Sequence, residues 1–184
     1  MNKTYINNKI NDLVQVSIFA IIIAICSYIS IPLTIPITLQ TFGVFITCLL
    51  LGGKKGTLSI ILWILLGIIG LPVFSSFKSG VSAIIGPTGG YIIGFIFTGI
   101  IMWLFESFYK NNKIFTILTM FFGQIICYTF GTVWFILIYI NKGSQMSISK
   151  ALSICITPFI LFDIIKIVLA LIFSHNRVIK SLIS

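Results

Sequence analysis

The stretch SICITPFILFDIIKIVLALIF, residues 153–173, decides the class of this protein. It is an apolar run whose length matches the roughly 20 residues that an α-helix needs to cross the hydrocarbon core of a bilayer. Its two charged residues, Asp163 and Lys166, stand near its middle, where a charge in a membrane helix is costly. The stretch therefore predicts a membrane-spanning helix whose charges have a specific partner or task.

The rest of the chain shares this apolar character. Of its 184 residues, 58% are hydrophobic and 8% are charged, against about 25% charged in a typical soluble domain. Six apolar runs are separated by short polar or Gly- and Pro-containing segments: residues 13–31, 42–51, 57–71, 91–105, 114–140 and 151–173. The sequence predicts an all-α polytopic membrane protein with six transmembrane helices, forming a single integral membrane domain over residues 1–184.

Basic residues are distributed unevenly between the predicted loops. Eight lie at the two termini and in the second-to-third and fourth-to-fifth connections: Lys3, Lys9, Lys54, Lys55, Lys110, Lys113, Arg177 and Lys180. Three lie on the opposite side: Lys78, Lys142 and Lys150. Because cytoplasmic loops carry the excess of Lys and Arg, both termini are predicted to be cytoplasmic. The net charge of +9 is a topology signal, and its scatter over short turns argues against nucleic-acid binding.

The common catalytic motifs are absent from the sequence. It has no GxxxxGK[ST] loop, no HExxH pair and no nucleophile elbow, and each of these would mark a class of enzyme. Three acidic residues in the whole chain leave little for acid–base chemistry. No two of the four cysteines have metal-ligand spacing, and all lie inside apolar runs. We expect no enzymatic activity, no metal site and no cofactor.

Asp163 and Lys166 form the first candidate site. They are three residues apart and so share one face of a helix, which Phe159 and Ala170 extend. One interpretation is an internal ion pair that neutralises both groups. Buried ion pairs contribute weakly to stability, however, whereas intramembrane charges usually face a polar cavity or a ligand. We therefore favour a binding role for both side chains.

The string GPTGGYIIGF, residues 86–95, is the second candidate. Gly86, Gly90 and Gly94 recur every four residues and allow close helix packing on that face. The same segment opens the fourth run, where free backbone N–H groups suit an anion or a carbonyl. Both roles are open. The candidate residues of this segment are Gly86, Thr88, Gly89, Gly90 and Tyr91.

The first predicted outer loop, IPLTIPITLQTF at residues 31–42, is the third candidate. Its prolines exclude a helix and favour an extended path. Gln40 and Thr41 stand at the start of the second run, at the same predicted membrane depth as the glycine segment. They are candidate ligand-binding groups, with an ordinary turn as the alternative.

A pair of small residues, Ala20 and Ala24, lies in the first run within AIIIA. Their spacing of one helical turn lets another helix approach closely. The pattern is common by chance in apolar helices and carries little weight alone.

Four strings together carry a family resemblance: IPLTIPITLQTFGV (31–44), LLLGGKKGTLSIILWILLGIIGLPVF (49–74), IIGPTGGYIIGF (84–95) and DIIK (163–166). They resemble the biotin-specific substrate-capture (S) component of energy-coupling-factor (ECF) vitamin importers, the BioY family. The match runs in order over nearly the whole chain. One departure is the segment 77–84, where Ala83 stands in place of an asparagine that some members carry.

The resemblance implies six transmembrane helices with cytoplasmic termini in the cell membrane of a prokaryote. It implies that biotin binds near the outer face, under the first loop, and that Ala20 and Ala24 dock on a membrane coupling subunit driven by two ATPases. Gln40, Thr41, Tyr91, Asp163, Lys166 and the glycine segment are then the expected biotin-binding groups. The competing hypothesis is a stand-alone ion- or proton-coupled transporter that uses Asp163 and Lys166 as a relay.

Overall fold

Helices occupy each of the six apolar runs. The computed structural model describes residues 3–110, 112–143 and 146–175, with side chains from residue 8 onward, so Arg177 and Lys180 lie outside the described residues. In chain order the helices are α1 (Lys3–Tyr28), α2 (Gln40–Leu51), α3 (Gly53–Ile68), α4 (Val81–Ile85), α5 (Gly89–Leu104), α6 (Glu106–Tyr109), α7 (Lys113–Asn141), α8 (Ile148–Cys155) and α9 (Ile160–His175). The predicted all-α character is confirmed.

The helices have the length and composition of a membrane protein. Over the described residues, two are long and apolar enough to cross a bilayer, namely Asn8–Tyr28 within α1 and Lys113–Asn141. Helices α8 and α9 add a third crossing if the pair, bent by 41°, is one span. Helices α2 and α5 are shorter and apolar.

The last apolar run is broken, whereas its sequence predicts one continuous helix. Helix α8 ends at Cys155 and α9 begins at Ile160, with Pro158 between them. Proline has no N–H to donate and its ring disfavours a continuing helix, which accounts for the break. Asp163 is therefore in the first turn of α9, where a negative charge is favoured by the helix dipole.

The segment between α1 and α2 forms a small hairpin at one end of the bundle. Strands β1 (Ser30–Ile31) and β2 (Ile37–Thr38) pair antiparallel, with Ser30 opposite Thr38. The Leu39 N–H donates to the Ile29 carbonyl oxygen at 3.0 Å and closes the loop. Ile35 and Ile37 pack in a buried cluster with Phe159, so the hairpin covers the α8–α9 break.

Close packing of α5 on α7 depends on glycine. A Cβ on Gly90 would lie 2.3 Å from Trp134 Cβ and 3.1 Å from Gly131 Cα, and one on Gly94 would lie 3.0 Å from Cys127 Sγ. The 2.3 Å approach at Gly90 leaves no room for a side chain unless α7 shifts, and the 3.0 Å approach at Gly94 is tight. The close helix packing predicted for this glycine face is observed at Gly90 and Gly94.

The opposite end of the bundle gathers several helix ends. Gly52 joins α2 to α3 with φ 84°, a conformation that favours glycine. The Gly53 N–H, at the start of α3, donates to Glu106 Oε2 at 2.9 Å, and Lys55 forms an ion pair with Asp12 of α1. These contacts place the first turns of α1, the α2–α3 turn and the end of α5 at one end of the bundle, as the charge distribution predicts.

Candidate functional site

Asp163 is the centre of a buried hydrogen-bond network. Its Oδ1 accepts from Lys166 Nζ at 2.6 Å. Its Oδ2 accepts from Gln124 Nε2 at 2.9 Å and from the Tyr128 hydroxyl. Asp163 and Lys166 are 3% and 5% exposed. Two buried charges at this distance largely neutralise each other, and the two donors from α7 fix the carboxylate's orientation.

The network lies beside a cavity that several elements enclose. The hairpin, α2, the loop before α4, α5, α7 and α9 all contribute side chains, and the enclosed volume is about 60 Å³. The polar lining is Thr38, Gln40, Thr41, Ser75, Lys78, Thr88, Tyr91, Gln124, Tyr128, Asp163 and Lys166. The aromatic walls are Phe74, Phe95 and Phe159. A cavity that combines apolar walls with convergent polar groups suits a small molecule.

Three polar atoms at this cavity lack hydrogen-bond partners. Over the described residues, the buried side-chain atoms without a partner in the protein are Gln40 Nε2, Ser75 Oγ and Gln124 Oε1, and all three residues line the cavity. An unsatisfied buried polar group costs about 1–3 kcal/mol. A polar ligand in this cavity would supply the missing partners.

Local geometry sets which atom of each glutamine is free. Thr38 Oγ1 donates to Gln40 Oε1 at 3.0 Å, leaving the Gln40 amide NH₂ without an acceptor. The Gln124 NH₂ group donates to Asp163, and the Gln124 carbonyl oxygen is left without a donor. The cavity thus offers one amide donor and one amide acceptor on different helices.

Six of the residues singled out in the sequence meet at this cavity: Gln40, Thr41, Thr88, Tyr91, Asp163 and Lys166. They come from α2, the start of α5, and α9. The Tyr91 hydroxyl also donates to the Cys155 carbonyl oxygen at 3.1 Å, which ties α5 to the end of α8.

The candidate glycines Gly86, Gly89 and Gly90 are not among the residues that line the cavity. The Gly89 N–H donates to the Gly86 carbonyl oxygen at 3.0 Å, and the Tyr91 N–H donates to the Thr88 carbonyl oxygen at 3.1 Å. Gly90 packs against Trp134. These N–H groups are used locally. Gly90 is covered by α7, whereas Gly86 and Gly89 pack against backbone atoms of α4.

Sequence reasoning missed Gln124, Tyr128 and Lys78. Gln124 and Tyr128 are four residues apart on α7, so they share one helix face. A glutamine and a tyrosine at that spacing inside an otherwise apolar run were a usable signal of a polar stripe. Lys78 lies in the loop before α4, where nothing in the sequence indicated that it faces the same cavity.

Ala20 and Ala24, for which the sequence predicts a docking role, are buried in this structure. They are 0% and 6% exposed and belong to the main core cluster with Val44, Ile60 and Trp63. Their small size does permit close helix approach, but the approaching helices belong to the same chain. The exposed face of α1 instead carries Leu13, Val14, Ser17, Ile18, Ile21 and Ile25.

The fold and the site define a helical membrane protein with a polar cavity for a small molecule between its helices. A family model described as the BioY family matches residues 1–182. The chain belongs to the BioY family.

Named relatives and a solved structure agree with this assignment. The biotin transporter BioY of Thermotoga maritima is 39% identical over 160 residues, covering 86% of this chain and 90% of the relative. The biotin transporter BioY2 of Lactococcus lactis subsp. cremoris is 36% identical over 171 residues, covering 91% of this chain and 90% of the relative. The crystal structure of the S-component for biotin from an ECF-type ABC transporter superposes with a TM-score of 0.80 at 27% identity, covering 95% of this chain and 92% of that one.

Proposed function

We propose that this protein captures biotin and serves as the substrate-specific subunit of an ATP-driven ECF importer. The observation that carries the proposal is the convergence of Gln40 Nε2, Ser75 Oγ and Gln124 Oε1, all without partners, on a cavity beside the Asp163–Lys166 pair. The relatives are named as biotin transporters, so biotin is the proposed ligand. The chemistry of the cavity suits biotin.

The ureido ring of biotin matches the free groups of the cavity. It presents two N–H donors, which Gln124 Oε1 and Asp163 can accept, and one carbonyl, to which the Gln40 amide can donate. The thiophane ring is apolar and suits the aromatic walls of Phe74, Phe95 and Phe159. Gln40 Nε2 and Gln124 Oε1 then each gain a partner, and this pairing would discriminate strongly against analogues that lack the ureido group.

The cavity must widen to admit the vitamin. Its volume of about 60 Å³ holds only a few water molecules, at about 10–15 Å³ each. The hairpin and the loop before α4 form one side of it. We infer that the cavity widens on this side when biotin enters.

The arrangement in the membrane follows from the same proposal. Six spans, with the α8–α9 pair counted as one, place both termini in the cytoplasm and make the protein a multi-pass component of a prokaryotic cell membrane. Glu106 and Asp12 then lie at the cytoplasmic end, and the biotin cavity lies towards the outer face. The positive-inside distribution of lysine supports this orientation.

The exposed face of α1 is the proposed docking surface for the coupling subunit, in place of Ala20 and Ala24. Substituting Val14 and Ile18 together with Trp should reduce biotin uptake by about tenfold or more, because bulk at the centre of an interface prevents close helix contact. Biotin affinity of the isolated chain should stay within a few-fold, since neither residue lines the cavity. Uptake by whole cells and co-purification with the coupling subunit measure the two effects.

A matched control is the Leu118→Trp/Phe122→Trp pair, which is exposed on α7. It should leave uptake unchanged. Normal uptake by the α1 double variant, or an equal loss in the α7 pair, would rule out α1 as the specific docking surface.

The transport mode is tested by uptake of labelled biotin in cells that lack their own biotin importer. Uptake should require co-expression of the coupling subunit and its ATPases and should survive a protonophore. Uptake that persists without this module and collapses with the proton gradient would favour the ion- or proton-coupled alternative. Asp163 accepts hydrogen bonds from three donors. This arrangement suits a carboxylate that holds a ligand better than one that exchanges protons, and it supports ATPase-dependent uptake.

A further inference from the structure

The charges that line the cavity do not balance. They are Lys78, Asp163 and Lys166. Asp163 and Lys166 neutralise each other across 2.6 Å, which leaves Lys78 as the source of a net charge of +1. Within the described part of the chain, no carboxylate lies within salt-bridge distance of the Lys78 ammonium. Lys78 is exposed, whereas the ion pair is buried, so the excess positive charge is at the mouth of the cavity.

A tight turn holds Lys78 at this position. Ser76 and Phe77 both adopt the left-handed conformation, with φ of 58° and 57°, which is strained for residues other than glycine. The Phe74 N–H donates to the Lys78 carbonyl oxygen at 3.1 Å. The Phe77 ring stacks on Tyr28 of α1 with 4.5 Å between centroids. The turn is therefore closed on itself and anchored to α1.

The same turn presents a second free group. Ser75 lines the cavity, and its hydroxyl is one of the three buried atoms without a partner. An ammonium and a hydroxyl that belong to one turn and face one space form a binding site for a carboxylate.

We infer that Lys78, assisted by Ser75, binds the carboxylate of the ligand at the mouth of the cavity and directs its ring system towards Asp163. The inference rests on the proposed function, and it makes Lys78 a specificity determinant for the free acid. Lys166 is the less suitable partner, because it already pairs with Asp163. The Asp163 carboxylate would repel a second carboxylate placed beside Lys166. Neutral esters and amides of the ligand should bind less tightly than the acid.

The test compares two ligands on three proteins. Biotin and biotin methyl ester are titrated calorimetrically against purified wild type, Lys78→Gln and Lys142→Gln. Lys142 is an exposed lysine that does not line the cavity and serves as the matched control. The wild type and the control should prefer biotin over the ester by about tenfold, the contribution of one charge-assisted hydrogen bond. Lys78→Gln should bind biotin about tenfold more weakly and the ester almost as well as the wild type does. The variant should therefore lose most of the preference for biotin over the ester.

Two results would overturn the inference while leaving the proposed function intact. One is unchanged affinity of Lys78→Gln for biotin. The other is an equal loss for acid and ester, which would assign Lys78 a structural role in the turn. Wild-type protein that binds neither ligand would contradict the proposed function itself. Melting temperatures should be equal in the three proteins, because both lysines are exposed.

Discussion

Replacing Asp163 by Asn should weaken biotin binding about 10- to 100-fold. The carboxylate accepts from Lys166, Gln124 and Tyr128 and is the proposed acceptor for a ureido N–H. Losing one charge-assisted hydrogen bond costs about 1.5–3 kcal/mol, and the amide also disturbs the Gln124 orientation on which the second acceptor depends. Calorimetric titration of the purified variant in detergent measures the change.

This substitution should also destabilise the protein, because it leaves Lys166 buried without a counter-charge. Breaking a buried ion pair from one side costs about 3–5 kcal/mol, which would appear as a lower melting temperature. The control is the double variant Asp163→Asn/Lys166→Met, which removes both charges. It should recover much of the melting temperature and none of the affinity. Recovery of both the melting temperature and the biotin affinity would show that the Asp163–Lys166 pair has only a structural role.

Replacing Gly90 by Leu should destabilise the protein by about 3 kcal/mol or more. Even a Cβ at this position would lie 2.3 Å from Trp134 Cβ and 3.1 Å from Gly131 Cα, so a branched side chain must push α5 away from α7. Overpacking of this degree is among the most damaging core substitutions. Because Gln124 and Tyr128 on α7 must meet residues of α5 at the cavity, biotin affinity should fall as well. Thermal unfolding followed by tryptophan fluorescence measures the stability.

Gly86→Ala provides the comparison at a glycine whose Cβ would not meet α7. Its Cβ would lie 3.2 Å from the Ser82 carbonyl oxygen, a tight contact that a small local shift relieves. Its melting temperature should lie close to that of the wild type. Equal stability of Gly90→Leu and Gly86→Ala would show that α5 and α7 are not packed as described.

Hydropathy alone located the helices, because burial in a bilayer requires long apolar runs with internally satisfied backbone groups. The contact between Asp163 and Lys166 could also be predicted from the sequence, since residues three apart on a helix are neighbours. The break at Pro158 was missed because an unbroken run of apolar side chains outweighed the one residue that cannot continue a helix.

The parts of the site that the sequence did not reveal depend on tertiary packing. Gln124 and Tyr128 reach Asp163 only because α7 and α9 meet in one register, which no local pattern encodes. Lys78 reaches the cavity through two left-handed residues in a loop. Ala20 and Ala24 illustrate a different difficulty. Small residues at a spacing of four predict a close helix neighbour, but they do not distinguish a helix of the same chain from one of a partner.

The most direct test of the account is an equilibrium titration of the purified chain in detergent with labelled biotin. We predict saturable binding of one biotin per chain at micromolar concentration or below. Excess unlabelled biotin should compete for the site, and a carboxylic acid without the ureido ring should not. Absence of saturable binding at micromolar biotin, in protein that melts cooperatively, would contradict the proposal that this cavity is a biotin site.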